Sequence, residues 1–216
     1  MLTTLFEDSE SDILDEDLGP GTAILRRMAR NRETEIMDAL FSVARGSPFR
    51  HMVTPGGFRM SVAMTNCGSL GWVTDRKGYR YASVDPETGT VWPAMPEVFM
   101  DLARGAATKA GYPAFVPDAC LVNRYEPGAR LTLHQDKNEN DFEYPIVSVS
   151  LGLPAIFLFG GLERSDKTVR VPVFHGDILV WGGPARLRYH GVNPLKDGSH
   201  SLAGAYRFNL TFRKAA

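Results

Sequence analysis

From residue 119 to the C-terminus the chain reads as a succession of short strands. Apolar and polar positions alternate, or apolar runs stay brief, and Gly, Pro or Asp cuts each stretch before a helical period develops. The pattern predicts strands over 119–125, 129–134, 146–153, 155–159, 169–174, 177–181, 187–190 and 205–213. Two earlier segments repeat at three and four residues instead. In 33–45, Ile36, Leu40, Val43 and Ala44 share one side, with Glu33, Glu35 and Asp38 near the start and Arg45 at the end, charges that suit a helix dipole. In 97–110, opened by Pro96 and closed by Gly111 and Pro113, Phe99, Leu102, Ala103, Ala106 and Ala110 form a second apolar side. Residues 51–94 mix Gly, Pro, aromatic and basic residues without a clean period and read as hairpins and loops. Strands without βαβ alternation, preceded by two helices, predict a mainly β (α+β) fold, an antiparallel sandwich or jelly roll with the helices buttressing one sheet. Such a fold is a container, in which strand residues distant in sequence converge on a pocket.

Composition narrows the reading. With 216 residues, 44% hydrophobic and 23% charged, the chain can bury one substantial core, which excludes whole-chain disorder, collagen and coiled coil. The net charge of −1 hides an asymmetry: residues 1–20 hold seven acids and no Lys or Arg, so residues 21–216 carry +6. We read 1–20 as a flexible acidic leader ending at Gly19-Pro20, and 21–216 as a single domain. The basic body is either a solubilising surface or the footprint of a polyanionic partner, and charge alone does not separate the two. No apolar run reaches the roughly 20 residues of a membrane span. The N-terminus lacks the basic start and apolar stretch of a signal peptide, and Cys67 and Cys120 form neither a disulfide framework nor zinc-ligand spacing. The expectation is a cytoplasmic monomer with no membrane partner.

Candidate chemistry sits on the strands. In Ala205-Tyr-Arg-Phe-Asn-Leu-Thr-Phe-Arg213, Tyr206, Phe208, Leu210 and Phe212 take one face and Arg207, Asn209, Thr211 and Arg213 the other. That polar face is either a solvated strand surface or a clamp for a small dicarboxylate, since guanidinium forks match carboxylate oxygens. His134-Gln135-Asp136 sets an imidazole and a carboxylate on one side of an extended chain, two members of a 2-His-1-carboxylate metal triad. A structural His–Asp pair is the plainer explanation. For a third ligand, position divides the odds between His175, before the Gly176-Asp177 turn, and His190, at a strand end. His51 and His200 read as surface residues.

Taken together, Asn123-x-Tyr125, His134-Gln-Asp136, His190 and Arg207-x-Asn209-x-Thr211-x-Arg213 resemble the AlkB family of Fe(II)- and 2-oxoglutarate-dependent dioxygenases, close to its bacterial DNA/RNA alkylation-repair members. The resemblance runs from about residue 47 to the C-terminus through Met52-Val-Thr-Pro-Gly-Gly57, Ser61-Val-Ala-Met-Thr-Asn-Cys67, Gly71-Trp72, Ile146-Val-Ser-Val-Ser-Leu-Gly-Leu-Pro154 and Val180-Trp-Gly-Gly183. It implies a double-stranded β-helix (jelly roll) core over about 119–216, under a nucleotide-recognition lid over about 47–94. It makes His134, Asp136 and His190 the iron ligands, which decides against His175. It gives Asn123, Tyr125, Arg207, Asn209 and Arg213 to 2-oxoglutarate, with Arg207 at the distal carboxylate and Arg213 near the iron-bound end and counted with the catalytic set. Trp72 and the His134 ring then form a stacking pair for the base. Tyr79, Arg80 and Tyr81 line the nucleotide and phosphate side, Arg164 approaches the substrate, and Arg76, Lys77, Arg130 and Lys137 offer phosphate contacts.

The implied activity is oxidative dealkylation of bases such as 1-methyladenine and 3-methylcytosine in single-stranded DNA, extending to duplex DNA and RNA. Fe(II), 2-oxoglutarate and O2 are consumed or held, and formaldehyde, succinate and CO2 are released. One position departs from the family: its bacterial members tend to carry an acid two residues beyond the ligand Asp, facing the damaged base, and here stands Asn138, followed by Glu139. An amide keeps a hydrogen bond and loses most of the attraction for a cationic base. Two rivals stand beside this reading. One is a hydroxylase with the same metal and clamp acting on a protein or small molecule, and the other is a non-enzymatic jelly-roll nucleic-acid binder whose His/Asp set is structural.

Overall fold

In the computed structural model, which describes residues 16–216, the elements follow the chain as β1 (Thr22–Leu25), α1 (Glu33–Gly46), β2 (Ala63–Gly68), β3 (Gly71–Asp75), β4 (Gly78–Ala82), α2 (Glu97–Lys109), β5 (Ala119–Tyr125), β6 (Leu131–His134), β7 (Ile146–Gly152), β8 (Ala155–Phe159), β9 (Val169–Val173), β10 (Ile178–Trp181), β11 (His190–Val192) and β12 (Arg207–Arg213). Six strands make a major sheet in the order β1-β10-β7-β12-β5-β2, and four make a minor sheet in the order β6-β11-β8-β9. β3 and β4 pair only with each other. This is a jelly roll.

The period-two pattern decides where the core lies. On β12, Phe208, Leu210 and Phe212 point outward from the jelly roll against α1 and α2, joining Cys120 and Val122 of β5 and Val147 of β7. The helices answer with Ile36, Met37, Leu40 and Val43, and with Phe99, Leu102, Ala103 and Ala106. Each large side chain so buried contributes about 2 kcal/mol. The intervening residues face the minor sheet, where Leu121, Tyr125, Ile146, Leu179 and Trp181 meet Phe157, Phe159, Val171 and Val173. All seven residues of β12 are buried, hydrogen-bonded to β5 on one side and β7 on the other. Its polar face is therefore enclosed between sheets, which removes the solvated-surface reading.

Three boundaries differ from the sequence expectation. The stretch 187–190 is not a strand: a short 3-10 turn at Gly183–Ala185 precedes it, and pairing begins only at His190, opposite His134 and Phe159. β1 was not expected from the sequence, yet it closes the edge of the major sheet beside β10. Order also begins ahead of Gly19-Pro20, since Glu16 and Ile24 exchange backbone hydrogen bonds. Residues 1–15 of the leader lie outside the described residues. β2, within the 47–94 segment, belongs to the major sheet. Among the described residues no helix is long and apolar enough to cross a membrane.

Candidate active site

Antiparallel register brings the two histidines together. β6 ends at His134, β11 begins at His190, and the two are direct partners across the strands, with ring centroids 4.4 Å apart. Each ring is held the same way: Nδ1 of His134 lies 2.8 Å from the Thr132 carbonyl oxygen, and Nδ1 of His190 lies 3.0 Å from that of Arg188. A carbonyl only accepts, so each Nδ1 carries a proton, which makes Nε2 the nitrogen free to ligate when the ring is neutral. Both Nε2 atoms face Asp136, at 3.8 Å from Oδ1 for His134 and 3.6 Å from Oδ2 for His190. The three donor atoms lie within 4.8 Å of one another, and no other group of this kind occurs among the described residues. Two neutral imidazoles and a carboxylate fit a facial-triad iron(II) site. His175 is elsewhere, with Nδ1 accepting the Gly152 N–H and Nε2 beside Glu33.

Beside the triad, the polar face of β12 lines a cavity of about 370 Å³. Arg207 is buried, stacked over Tyr125 at 5.0 Å, and gives Nη2 to Ser150 Oγ at 3.0 Å, while its Nε and Nη1 have no hydrogen-bond partner among the described residues. Buried guanidinium protons without acceptors are costly, and a carboxylate would satisfy them. Asn209 is fixed by Ser148 Oγ, the Val149 carbonyl, Asn123 and Thr211. Arg213 directs Nε and Nη2 to Asp136 Oδ2, at 3.0 and 2.6 Å. The arrangement suits a small dicarboxylate lying from Arg207 toward the triad.

A match to the 2OG-Fe(II) oxygenase superfamily covers residues 21–213. The chain belongs to that superfamily. It is 59% identical to the alpha-ketoglutarate-dependent dioxygenase AlkB of Escherichia coli (strain K12), over 98% of this chain and 97% of that one, and 60% identical to its Salmonella typhimurium counterpart, over 93% of each. Among solved structures, OsALKBH1 superimposes with a TM-score of 0.80 at 30% identity, over 93% of this chain and 100% of that one. The protein is thus an Fe(II)- and 2-oxoglutarate-dependent dioxygenase, the cofactor pair that the triad and Arg207 fit.

Electrostatics tune this oxygenase for metal. Desolvation, helped by neighbouring His190, pushes His134 down to about 4, so its ring is neutral and free to ligate near pH 7. Burial alone would raise the Asp136 carboxyl, but Arg213 and the two imidazoles hold it well below the usual carboxylate range. Burial lowers Arg207 and lifts the Tyr125 hydroxyl to about 12.

Part of the cavity lining is aromatic. Trp72 of β3 and Tyr79 of β4 stack with centroids 5.7 Å apart and line the same cavity, as do His134, Lys137, Asn138 and Arg164. Arg80 and Tyr81 do not line it. Arg80 lies on the other face of β4 from Tyr79, where Asp75 of the same hairpin takes its guanidinium at 2.7 Å. The Tyr81 hydroxyl turns inward to Glu139 Oε1 at 2.5 Å. Arg76, Lys77 and Arg130 are also absent from the lining.

Sequence reasoning missed the parts that hold the site. Arg186, buried, donates to the carbonyls of Asp136 and Tyr144 and to Glu139 Oε2 at 3.0 Å, pinning the loop that carries Asp136. Gln135 donates its amide to the Leu187 carbonyl at 2.6 Å, tying the first ligand segment to the second. Ser148 and Ser150 could have been found, as two hydroxyls spaced by two in an apolar strand. Arg186 carried no such signal.

Proposed function

We propose that this oxygenase removes N-linked methyl groups from nucleic-acid bases by oxidation. The observation that carries the reading is one cavity lined both by the stacked Trp72–Tyr79 pair and by the His134, Asp136 and His190 donors. A flat apolar ring facing an oxidising centre is what a flipped or single-stranded base requires. The AlkB resemblance of the motifs points the same way.

His134, Asp136 and His190 hold the iron, and Arg207, Asn209, Asn123 and Tyr125 hold 2-oxoglutarate, with Arg213 fixing the Asp136 carboxylate. Iron held there, with 2-oxoglutarate and O2, would supply the oxidising power to hydroxylate an N-methyl group, with succinate and CO2 as coproducts. Trp72 and Tyr79 stack the base, and residues of the wall keep its methyl group directed at the triad. Loss of formaldehyde from the hydroxymethylated base breaks the C–N bond, and the hydroxyl proton passes to the ring nitrogen of a neutral base or is released to solvent from a cationic one. Arg164 and Lys137 stand at the cavity as phosphate or base contacts. The 47–94 segment acts as the lid. Single strands are the easier substrate because no unpairing is required, and duplex DNA and RNA follow with that cost. The +6 body gives salt-sensitive binding. We place the protein in the cytoplasm, as a monomer.

The test is anaerobic reconstitution with Fe(II) and 2-oxoglutarate, then air, with single-stranded oligonucleotides bearing one methylated base. Succinate and oligonucleotide mass are read together. Loss of one methyl per succinate supports the reading, and succinate with unchanged oligonucleotide mass overturns it.

A further inference from the structure

The two triad histidines are held alike at Nδ1, but the carbonyls that hold them are not supported alike. Thr132 lies inside β6, between Leu131 and His134, which both pair with β11. Arg188 comes before β11, which begins at His190, so no strand pairing reaches it. Its neighbours are tied, Leu187 by Gln135 and Tyr189 by the backbone of Gly160 and Gly161. Arg188 itself has one backbone bond, from its N–H to the Ala185 carbonyl at 3.0 Å, and is otherwise fixed by its own side chain.

That side chain reaches two separate parts of the fold. Nε donates to the Gly160 carbonyl at 2.5 Å, Nη1 donates to the Leu18 carbonyl at 3.2 Å, and the guanidinium lies 4.0 Å from the centroid of the Phe159 ring. Both anchors are firm. Phe159 is the partner of His190 across β8 and β11, with Gly160 next in the chain. Leu18 gives its N–H to Thr22 Oγ1 at 2.7 Å, in a turn that Glu16 and Ile24 close with backbone hydrogen bonds. A solubilising arginine keeps its head in water. This one is half-buried, burial lowers its pKa, and both its acceptors are neutral carbonyls. A rigid planar fork suits that bridge.

We infer that Arg188 is a positioning residue for the metal: by bridging the Leu18 and Gly160 carbonyls over Phe159 it holds its own carbonyl against the Nδ1 proton of His190, and so keeps Nε2 aimed at the iron site. The inference rests on the reading of His190 as an iron ligand. Groups behind a ligand fix its orientation, and their loss weakens metal binding. The turn at Leu18, remote in sequence from every ligand, thereby takes part in holding iron.

Two variants test this. Arg188→Met keeps an apolar stem on Phe159 and removes both donors, and Arg188→Lys keeps the charge but cannot span both carbonyls. The first measurement is Fe(II) release to excess ferrous chelator under anaerobic conditions, beside the urea midpoint of the metal-free protein. The second, on protein loaded with Zn(II) as a diamagnetic substitute, is NMR exchange of the ring N–H protons of His190 and His134. Arg188→Met should release Fe(II) about tenfold faster and Arg188→Lys about threefold faster. The His190 ring proton should quicken in step while that of His134 stays unchanged. Release within about twofold of the parent in both variants overturns the inference, whatever the urea midpoint does. Equal quickening of the two ring protons also overturns it, because that marks general loosening. His190→Ala is the control. If it binds Fe(II) as tightly as the parent, the ligand assignment falls and the inference with it; if it binds weakly beside unchanged Arg188 variants, only the inference falls.

Discussion

β12 and the β3–β4 hairpin both line the cavity and are built in opposite ways. Every residue of β12 is buried, all seven pair with β5 and Arg207 to Phe212 also pair with β7, and the side chains of Asn209, Thr211 and Arg213 each have a fixed partner. Among the described residues the hairpin shares no backbone ladder with any other strand. It is moored at a few points: Asn66 exchanges hydrogen bonds with the backbone of Trp72, Thr74 reaches the Val53 carbonyl, Trp72 meets Asn138, and Tyr81 meets Glu139. Tyr79 remains half exposed. The cosubstrate and metal side is thus rigid before anything binds, as electrostatic preorganisation demands, while the substrate side rests on bonds that open one at a time.

Arg207 is where the rigid side stores a defect. Two of its guanidinium nitrogens are buried without hydrogen-bond partners among the described residues, so it weakens the cosubstrate-free protein in exchange for binding. Arg207→Met should raise the KM for 2-oxoglutarate about a hundredfold, the loss expected for two charge-assisted hydrogen bonds. The urea midpoint of the cosubstrate-free variant should stay the same or rise. A KM change under about threefold, or a clear loss of stability, would place Arg207 in the scaffold and break the contrast.

Tyr81→Phe addresses the mooring. It removes one hydrogen bond to a carboxylate that keeps both its arginines. Amide exchange over 71–82 should quicken about tenfold, while that of 207–213 stays unchanged. Equal acceleration in both segments would mean that hairpin and jelly roll open as one unit.

The same contrast governs how much was legible beforehand. Strands 119–125 and 155–159 and helix 33–45 were readable because burial on one face imposes a period, and β12 announced both its faces for the same reason. The triad was half legible. His134 and Asp136 are neighbours in sequence, but His190 and His175 both precede glycines at strand ends, and only the β6–β11 register separates them. The motif resemblance had to make that choice. On the hairpin, Trp72 and Tyr79 line the cavity while Arg80 and Tyr81 do not: Arg80 sits on the strand face opposite Tyr79, and Tyr81, on the same face as Tyr79, turns its hydroxyl to Glu139, a choice that depends on docking to the body. Arg186 and Glu139 pair across 47 residues of sequence, a distance at which no local pattern operates.

The remaining test separates the two regions by pH. His175 is buried, its Nδ1 accepting the Gly152 N–H, and Gly152 pairs across the sheet with Arg207. Burial holds its pKa below the ordinary 6.5, although Glu33 pulls the other way, and burial with His175 alongside lowers the stacked His200 as well. Between the folded value and 6.5 the unfolded chain binds more protons, so stability is present above about pH 6.5 and falls as pH drops through it. Each such proton contributes less than about 1.4 kcal/mol per pH unit. Urea unfolding between pH 7.5 and 5.5 should therefore show a midpoint that declines with acid, and His175→Gln, which can still accept the Gly152 N–H, should flatten the decline. Hairpin exchange, corrected for its intrinsic pH dependence, should not follow that curve, since neither histidine touches residues 71–82. Parallel slopes in the two proteins would show that the Gly152 bond survives protonation and that acid acts on the jelly roll elsewhere.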